Sequence, residues 1–174
     1  GWRVRSFDRK YRRYKSVSSE VERTIAKLPP LGLRQYRLTA DGEAQAILAA
    51  SDPSNREQAL AQVVQTYFMS SLGDDAAFEL ACIRLDKHDF VGGARLLAHV
   101  LNNYPDSNIP TGELLARLAF ANARLGDNEA ARGNLDSLGD SPEADQFDRL
   151  ALVIRDEIDA GTSEVADVGE GDAW

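Results

Sequence analysis

Two stretches decide the fold: residues 80–100, LACIRLDKHDFVGGARLLAHV, and residues 118–138, LAFANARLGDNEAARGNLDSL. Equivalent positions lie 38 residues apart. Each stretch has Leu-Ala, a small polar turn, a small residue (Gly93 or Ala131) and then spaced Leu or Val residues. Small residues let helices approach closely, and the spaced apolar residues fill the groove between them. The pattern predicts two helix–turn–helix units, 74–104 and 111–138, with turns at 86–89 and 126–127.

The remaining sequence also has helical periodicity, and no segment alternates apolar and polar residues as a strand would. Pro29-Pro30 should end a first helix, and Ser54-x-x-Glu57 is read as a capping box. Ser141-Pro142 is read as the start of a last helix. The predicted helices outside the repeat are 18–27, 31–37, 39–50 (capped by Thr39 or Asp41), 54–68 and 141–158. The chain is therefore predicted to be all-α.

The repeated units resemble the tetratricopeptide repeat, whose usual period is about 34 residues. The longer period fits extra residues at 106–111, and Arg84 and Asn122 stand where that repeat commonly has Tyr. The resemblance implies a short right-handed solenoid of antiparallel helix pairs, with degenerate repeats. Its concave surface would be lined by the first helix of each pair and would bind a protein or an acidic peptide segment. The polar residues expected on that surface are Arg84, Lys87, Arg117, Asn122 and Arg124.

The composition counts against several classes of protein. The chain has 174 residues, with 20 Lys and Arg against 28 Asp and Glu, so its net charge is -8. A general nucleic-acid binder needs clustered cations instead. The single cysteine, Cys82, rules out an intrachain disulfide and a multi-cysteine metal site. No apolar run approaches the roughly 20 residues that span a membrane.

The charge is concentrated at the two ends. Residues 1–15 form a basic arm with seven cations, one carboxylate and the aromatic residues Phe7, Tyr11 and Tyr14 at helical spacing. We expect this arm to dock on the helical domain, 16–159. The alternatives are an anionic membrane surface, a nucleic acid and a disordered, solvated tail. Residues 160–174 are read as an acidic linker. The missing initiator Met and the terminal Trp174 suggest a fragment that a further folded part follows.

Three groups of residues have side chains that could do chemistry. Cys82 and His99 would make a nucleophile–base pair, but nothing supplies an oxyanion site. Asp86, His88 and Asp89 crowd one turn as possible metal ligands, although Asp89 is better explained as a helix cap. Asp74-Asp75, with Glu79, would be an acid–base site, but carboxylates favour helix N-termini anyway. The sequence therefore predicts no catalytic residue, cofactor or metal.

The order of motifs over residues 16–138 also resembles a larger architecture. The most informative are Val64-x-x-Tyr67-Phe68, then Ser-Ser-Leu-Gly-Asp, Leu80-Ala81 and Asp89-Phe90. This order resembles the helical module that precedes a pyrroloquinoline-quinone-binding-like β-propeller in envelope proteins of planctomycete-type bacteria. The resemblance implies a non-catalytic interaction or scaffolding domain in the cell envelope or periplasm. The alternatives are an accessory domain of a quinone-linked enzyme and a nucleic-acid adaptor that binds through the basic arm.

Overall fold

The computed structural model describes the backbone of residues 17–168 and the side chains of residues 20–160. The described residues form eight α-helices and no strand, which confirms the all-α prediction. Consecutive helices pack against one another from α2 to α8. The helices are α1 (Val17–Ala26), α2 (Pro30–Ala49), α3 (Arg56–Tyr67), α4 (Gly73–Asp86), α5 (Phe90–Asn103), α6 (Thr111–Arg124), α7 (Asn128–Gly139) and α8 (Ala144–Val168).

The turns of the two predicted helix–turn–helix units have the same geometry. His88 and Gly126 adopt positive φ angles of 63° and 74°, the left-handed conformation that commonly ends a helix. The next residue, Asp89 or Asp127, donates its N–H to the carbonyl five residues earlier, at 2.9 Å in both turns. Each Asp side chain then accepts a bond from the backbone N–H of Gly92 or Ala130 and caps the following helix. The 38-residue repeat is therefore a repeat of backbone structure as well as of sequence.

The core consists of three apolar clusters arranged along the chain. The first joins α2, α3 and α4, and the third joins α6, α7 and α8. The middle cluster joins α4, α5 and α6 to Phe68 and Met69, which lie between α3 and α4. The predicted core positions recur in register, since Leu97 and Leu135 are both fully buried. Helices α2 to α7 thus bury their apolar faces on their chain neighbours, whereas α1 packs on α5 and α8 packs mainly on α6.

Gly93 packs where a larger residue would force α4 and α5 apart. A Cβ atom there would lie 2.6 Å from Leu85 Cδ2 and 3.4 Å from the Ala81 carbonyl oxygen. We expect Gly93→Leu to lower the free energy of unfolding by about 1–3 kcal/mol, the usual cost of overpacking. Urea denaturation followed by circular dichroism measures this. Gly133→Leu is the matched control, because a Cβ at Gly133 meets nothing within 4 Å. Equal stability of the Gly93 variant and the parent would contradict the prediction.

The prediction of two helices at 31–37 and 39–50 is wrong, because α2 runs unbroken from Pro30 to Ala49. Thr39 and Asp41 were expected to begin the second helix. The Asp41 carboxylate instead accepts bonds from the backbone N–H of Ser71, at 2.8 Å, and from its hydroxyl. The Asp41 side chain therefore bonds to Ser71, 30 positions away, and does not cap a helix start as the local pattern predicted.

Two further helix starts differ from the prediction. Ser54 does not cap α3 but donates to Asp52, and Glu57 pairs with Lys87 rather than with the backbone at the helix start. Helix α8 begins at Ala144, after a turn at Ser141–Glu143, and continues to Val168. It is therefore longer than the predicted 141–158 helix. The basic arm and residues 169–174 lie outside the described residues.

Candidate functional site

Arg84 and Lys87, at the C-terminal end of α4, share a carboxylate of α3. Lys87 Nζ lies 2.5 Å from Glu57 Oε2, and Arg84 Nε lies 4.0 Å from Glu57 Oε1. Arg84 also donates from Nη1 to Asp89 Oδ2 at 3.0 Å. The end of α4 is thus held to the start of α3 and to the cap of α5. These contacts place the two predicted cations together.

Arg117 and Arg124 lie on α6, each above an aromatic ring and beside a carboxylate. Arg117 lies 4.9 Å from the centre of the Phe78 ring and 2.9 Å from a Glu113 oxygen. Arg124 lies 5.6 Å from the centre of the Phe90 ring and 2.8 Å from a Glu157 oxygen. Cation–π contact of this kind holds the guanidinium plane in place. The Arg117 side chain is half-buried and the Arg124 side chain is exposed, so the outer face of each guanidinium group remains accessible.

Asn122, the fifth predicted residue, has a structural role through its main chain. Its carbonyl oxygen accepts the backbone N–H of Leu125 at 3.1 Å and of Asp127 at 2.9 Å, which closes the turn after α6. The four predicted cations each have a carboxylate within 4.0 Å, so the group is locally neutral. The structure therefore groups Arg84 with Lys87 and places Arg117 with Arg124 on one helix, without making a bare positive patch.

Two of the side chains considered for chemistry, His99 and Asp89, have other roles in the structure. His99 stacks on Phe68 with ring centres 4.0 Å apart, and its Nε2 lies 3.2 Å from Glu22 of α1. Asp89 caps α5. Among the described residues, no group of three His, Cys, Asp or Glu side chains is placed to hold a metal ion. Within the same part of the chain, no helix is long and apolar enough to cross a membrane.

A partly buried polar junction, which the sequence did not predict, joins α2 to the loops before α4 and α6. Arg37 donates two bonds to the Asp106 carboxylate at 2.7 and 2.8 Å, one to the Tyr104 hydroxyl at 3.0 Å and one to the Met69 carbonyl at 3.2 Å. The Tyr104 hydroxyl donates to the Ser70 carbonyl at 2.6 Å. Each of these bonds crosses more than 30 positions in sequence. No local pattern could have indicated them.

Burial and charge set the proton affinities in this junction. Burial, followed by the nearby Asp74 carboxylate, raises the pKa of Tyr104, so its hydroxyl keeps its proton and remains a donor. The hydrogen bonds from Arg37 lower the pKa of Asp106. Asp74 is 2% exposed and accepts the Ser107 hydroxyl at 2.8 Å. Asp74, predicted as a helix-start carboxylate, therefore fastens α4 to the loop before α6.

No known protein family, curated protein or solved structure matches this chain. The two resemblances carried by its sequence motifs therefore stay predictions.

Proposed function

We propose that this chain is a non-catalytic protein-interaction domain, built as a short right-handed solenoid of degenerate tetratricopeptide-like helix pairs. The observation that carries the proposal is the repeat of backbone structure at 38 residues, including the capping Asp89 and Asp127. Stacked helix pairs bury a continuous core and leave the exposed faces of their first helices for partners. The proposal gives α2, α4 and α6 the role of first helices and α8 the role of the closing helix.

The absence of catalysis is supported by how the candidate reactive side chains are used. Asp89 caps a helix, Asp74 accepts bonds from the Ser107–Asn108 loop, and His99 lies between Phe68 and Glu22. Each of these contacts joins two parts of the fold. These structural contacts account for Asp89, Asp74 and His99 without a substrate.

The partner proposed for this domain is an acidic protein segment that binds along α4 and α6. Arg117 and Arg124 are held over Phe78 and Phe90, so little side-chain freedom is lost on binding. Their present carboxylate partners, Glu113 and Glu157, are themselves partly exposed. Exposed ion pairs contribute only about 0–1 kcal/mol, so an incoming carboxylate can displace them. The resemblance to the propeller-associated module suggests where this acidic segment comes from. Its source would be an attached β-propeller in the cell envelope.

Binding of a fluorescein-labelled peptide of alternating Glu and Ser tests this proposal by fluorescence anisotropy. We expect the full chain to bind it at low salt and the Arg117→Gln/Arg124→Gln double variant to bind at least about tenfold more weakly. The matched control is Arg95→Gln/Arg149→Gln, which removes two exposed arginines from α5 and α8. Equal affinity of the parent and the α6 variant would reject this surface as the binding site.

A further inference from the structure

A groove runs between α2 and α3, and α1 occupies only one end of it. At that end, a cavity of about 430 Å³ is lined by Tyr36 and Thr39 of α2 and by Gln65 and Thr66 of α3. Val21 and Ile25 of α1 border the same cavity. This half of the groove therefore already has a helix over it.

The other half of the groove is open. A cavity of about 330 Å³ lies there, lined by Ile47 and Ala50 of α2 and by Gln58, Ala59 and Gln62 of α3. Along α2, positions 36, 39, 47 and 50 share one face, and along α3 positions 58, 62 and 65 do so. The two cavities are therefore successive parts of one groove. The lining of the open half has no charged side chain, and it combines Ile47, Ala50 and Ala59 with four polar residues, Ser51, Asn55, Gln58 and Gln62.

The chain before α1 continues the stripe that α1 places at this groove. Within α1 and the turn after it, Val21, Ile25 and Leu28 alternate at spacings of four and three residues. The same alternation extends backwards through Ser18, Tyr14, Tyr11, Phe7 and Val4. The seven cations of the basic arm all lie off this stripe. A continuous helix would therefore present one apolar face and one basic face.

The length of the chain before α1 also fits. Val21 and Ile25 of α1 border the cavity with Tyr36 and Thr39, while Glu22 of the same helix meets His99 of α5. As a helix, residues 4–16 would extend about 20 Å at the usual rise of 1.5 Å per residue, enough to cover the open half.

Charge favours the same occupant. Residues 1–15 have seven basic residues and one acidic residue, whereas residues 16–155 have 13 basic and 20 acidic residues. Glu43 is exposed on α2, on the turn between the two cavities. A basic helix face that lies beside it would be attracted to the groove.

We propose that residues 4–16 extend α1 and lie in the open half of the α2–α3 groove, with Tyr11 and Tyr14 against Ile47, Ala50 and Ala59. The basic arm then closes the first end of the helical array, as α8 covers α6 and α7 at the other end. Terminal units of repeat proteins need such a cap, because their outer apolar face has no neighbouring repeat.

Amide hydrogen exchange of the full chain, read by mass spectrometry, tests the proposal. In the parent, the amides of residues 5–16 should exchange at least about tenfold more slowly than in an unstructured peptide of the same sequence. Tyr11→Ser/Tyr14→Ser should abolish that protection, and so should Ala50→Arg, which changes only the groove. The matched control is Arg9→Ser/Arg13→Ser, which changes the basic face. This variant should keep most of the protection of the arm amides.

The amides of α5, α6 and α7 report on the remaining fold in every variant. Their unchanged protection shows that the loss is confined to the arm. Unprotected arm amides in the parent would overturn the proposal. So would arm protection that falls on dilution, because the groove would then be filled by the arm of a second copy of the chain. Arm protection that survives Ala50→Arg would likewise show that the arm binds elsewhere.

Discussion

Phe68→Ala should lower the free energy of unfolding by about 3–5 kcal/mol, the usual range for removal of a buried phenylalanine. Phe68 is 2% exposed and belongs to the middle core cluster, although it lies just after α3 rather than inside a helix. Its ring stacks on His99 and meets Tyr104 edge-on, with ring centres 5.6 Å apart. The alanine variant would leave a cavity where α1, α3 and α5 meet. Urea denaturation followed by circular dichroism measures the loss.

Leu38→Ala is the control for this prediction. Leu38 is 75% exposed on α2, so its truncation should change stability by no more than about 0.5 kcal/mol. Similar losses for the two variants would mean that the stability of this chain does not depend on the junction around Phe68. A large loss for Phe68→Ala alone would confirm that the loop between α3 and α4 is part of the core.

The repeated turns could be predicted from the sequence because their causes are local. Asp127 caps the helix that begins next to it, and Gly126 adopts the left-handed conformation that its missing side chain permits. His88 takes the same conformation in the other unit, where the following Asp89 makes the same two bonds. Every determinant of these turns lies within about six residues, so a pattern of residue types is enough to find them.

The failures of prediction have the opposite cause. Asp41 looked like a helix cap, but the backbone of Ser71 competes for its carboxylate across 30 positions. Ser54 and Glu57 matched a capping box, but nearby Asp52 and distant Lys87 pair with them instead. A cap contributes about 1 kcal/mol, which a well-placed tertiary bond can match. Local rules therefore fail where another partner competes for the side chain, a neighbour in sequence for Ser54 and a distant residue for Asp41 and Glu57.

The predicted surface shows the same limit. Arg84 lies near Lys87, and Arg117 and Arg124 lie on one helix, but that these residues form a binding surface stays a prediction. The carboxylates that neutralise them could not be foreseen, because Glu57 lies 30 positions before Lys87 and Glu157 lies 33 positions after Arg124. The electrostatic character of the surface is therefore a property of the packing, and the proposed acidic partner must compete with the chain's own carboxylates.

Arg37→Met should lower the free energy of unfolding at neutral pH by about 2–4 kcal/mol, since hydrogen bonds to charged groups contribute about 1.5–3 kcal/mol each and the variant removes four of them. The Arg37 side chain is 15% exposed and bonds to three residues in two loops, whereas Asp106 is 51% exposed and water replaces part of what it loses. Methionine keeps the packing of the arginine stem. Arg34→Met, at an exposed position on the same helix, is the control and should change stability by about 0.5 kcal/mol at most.

The pH dependence of that loss separates the ion pair from simple packing. Arg37 lowers the pKa of Asp106 in the folded state, so the pair stabilises the fold above the ordinary aspartate pKa of about 3.9. This stabilisation disappears as the pH falls through the lowered pKa, because the carboxyl group then binds a proton. The difference in unfolding free energy between the parent and Arg37→Met should therefore be largest near pH 7 and shrink below about pH 4. The difference in unfolding free energy between the parent and Asp106→Asn should also shrink below about pH 4, because this variant removes the titrating carboxyl group itself. A difference that stays constant from neutral to acidic pH would assign the effect to the bonds with Tyr104 and Met69, and not to the charge of Asp106.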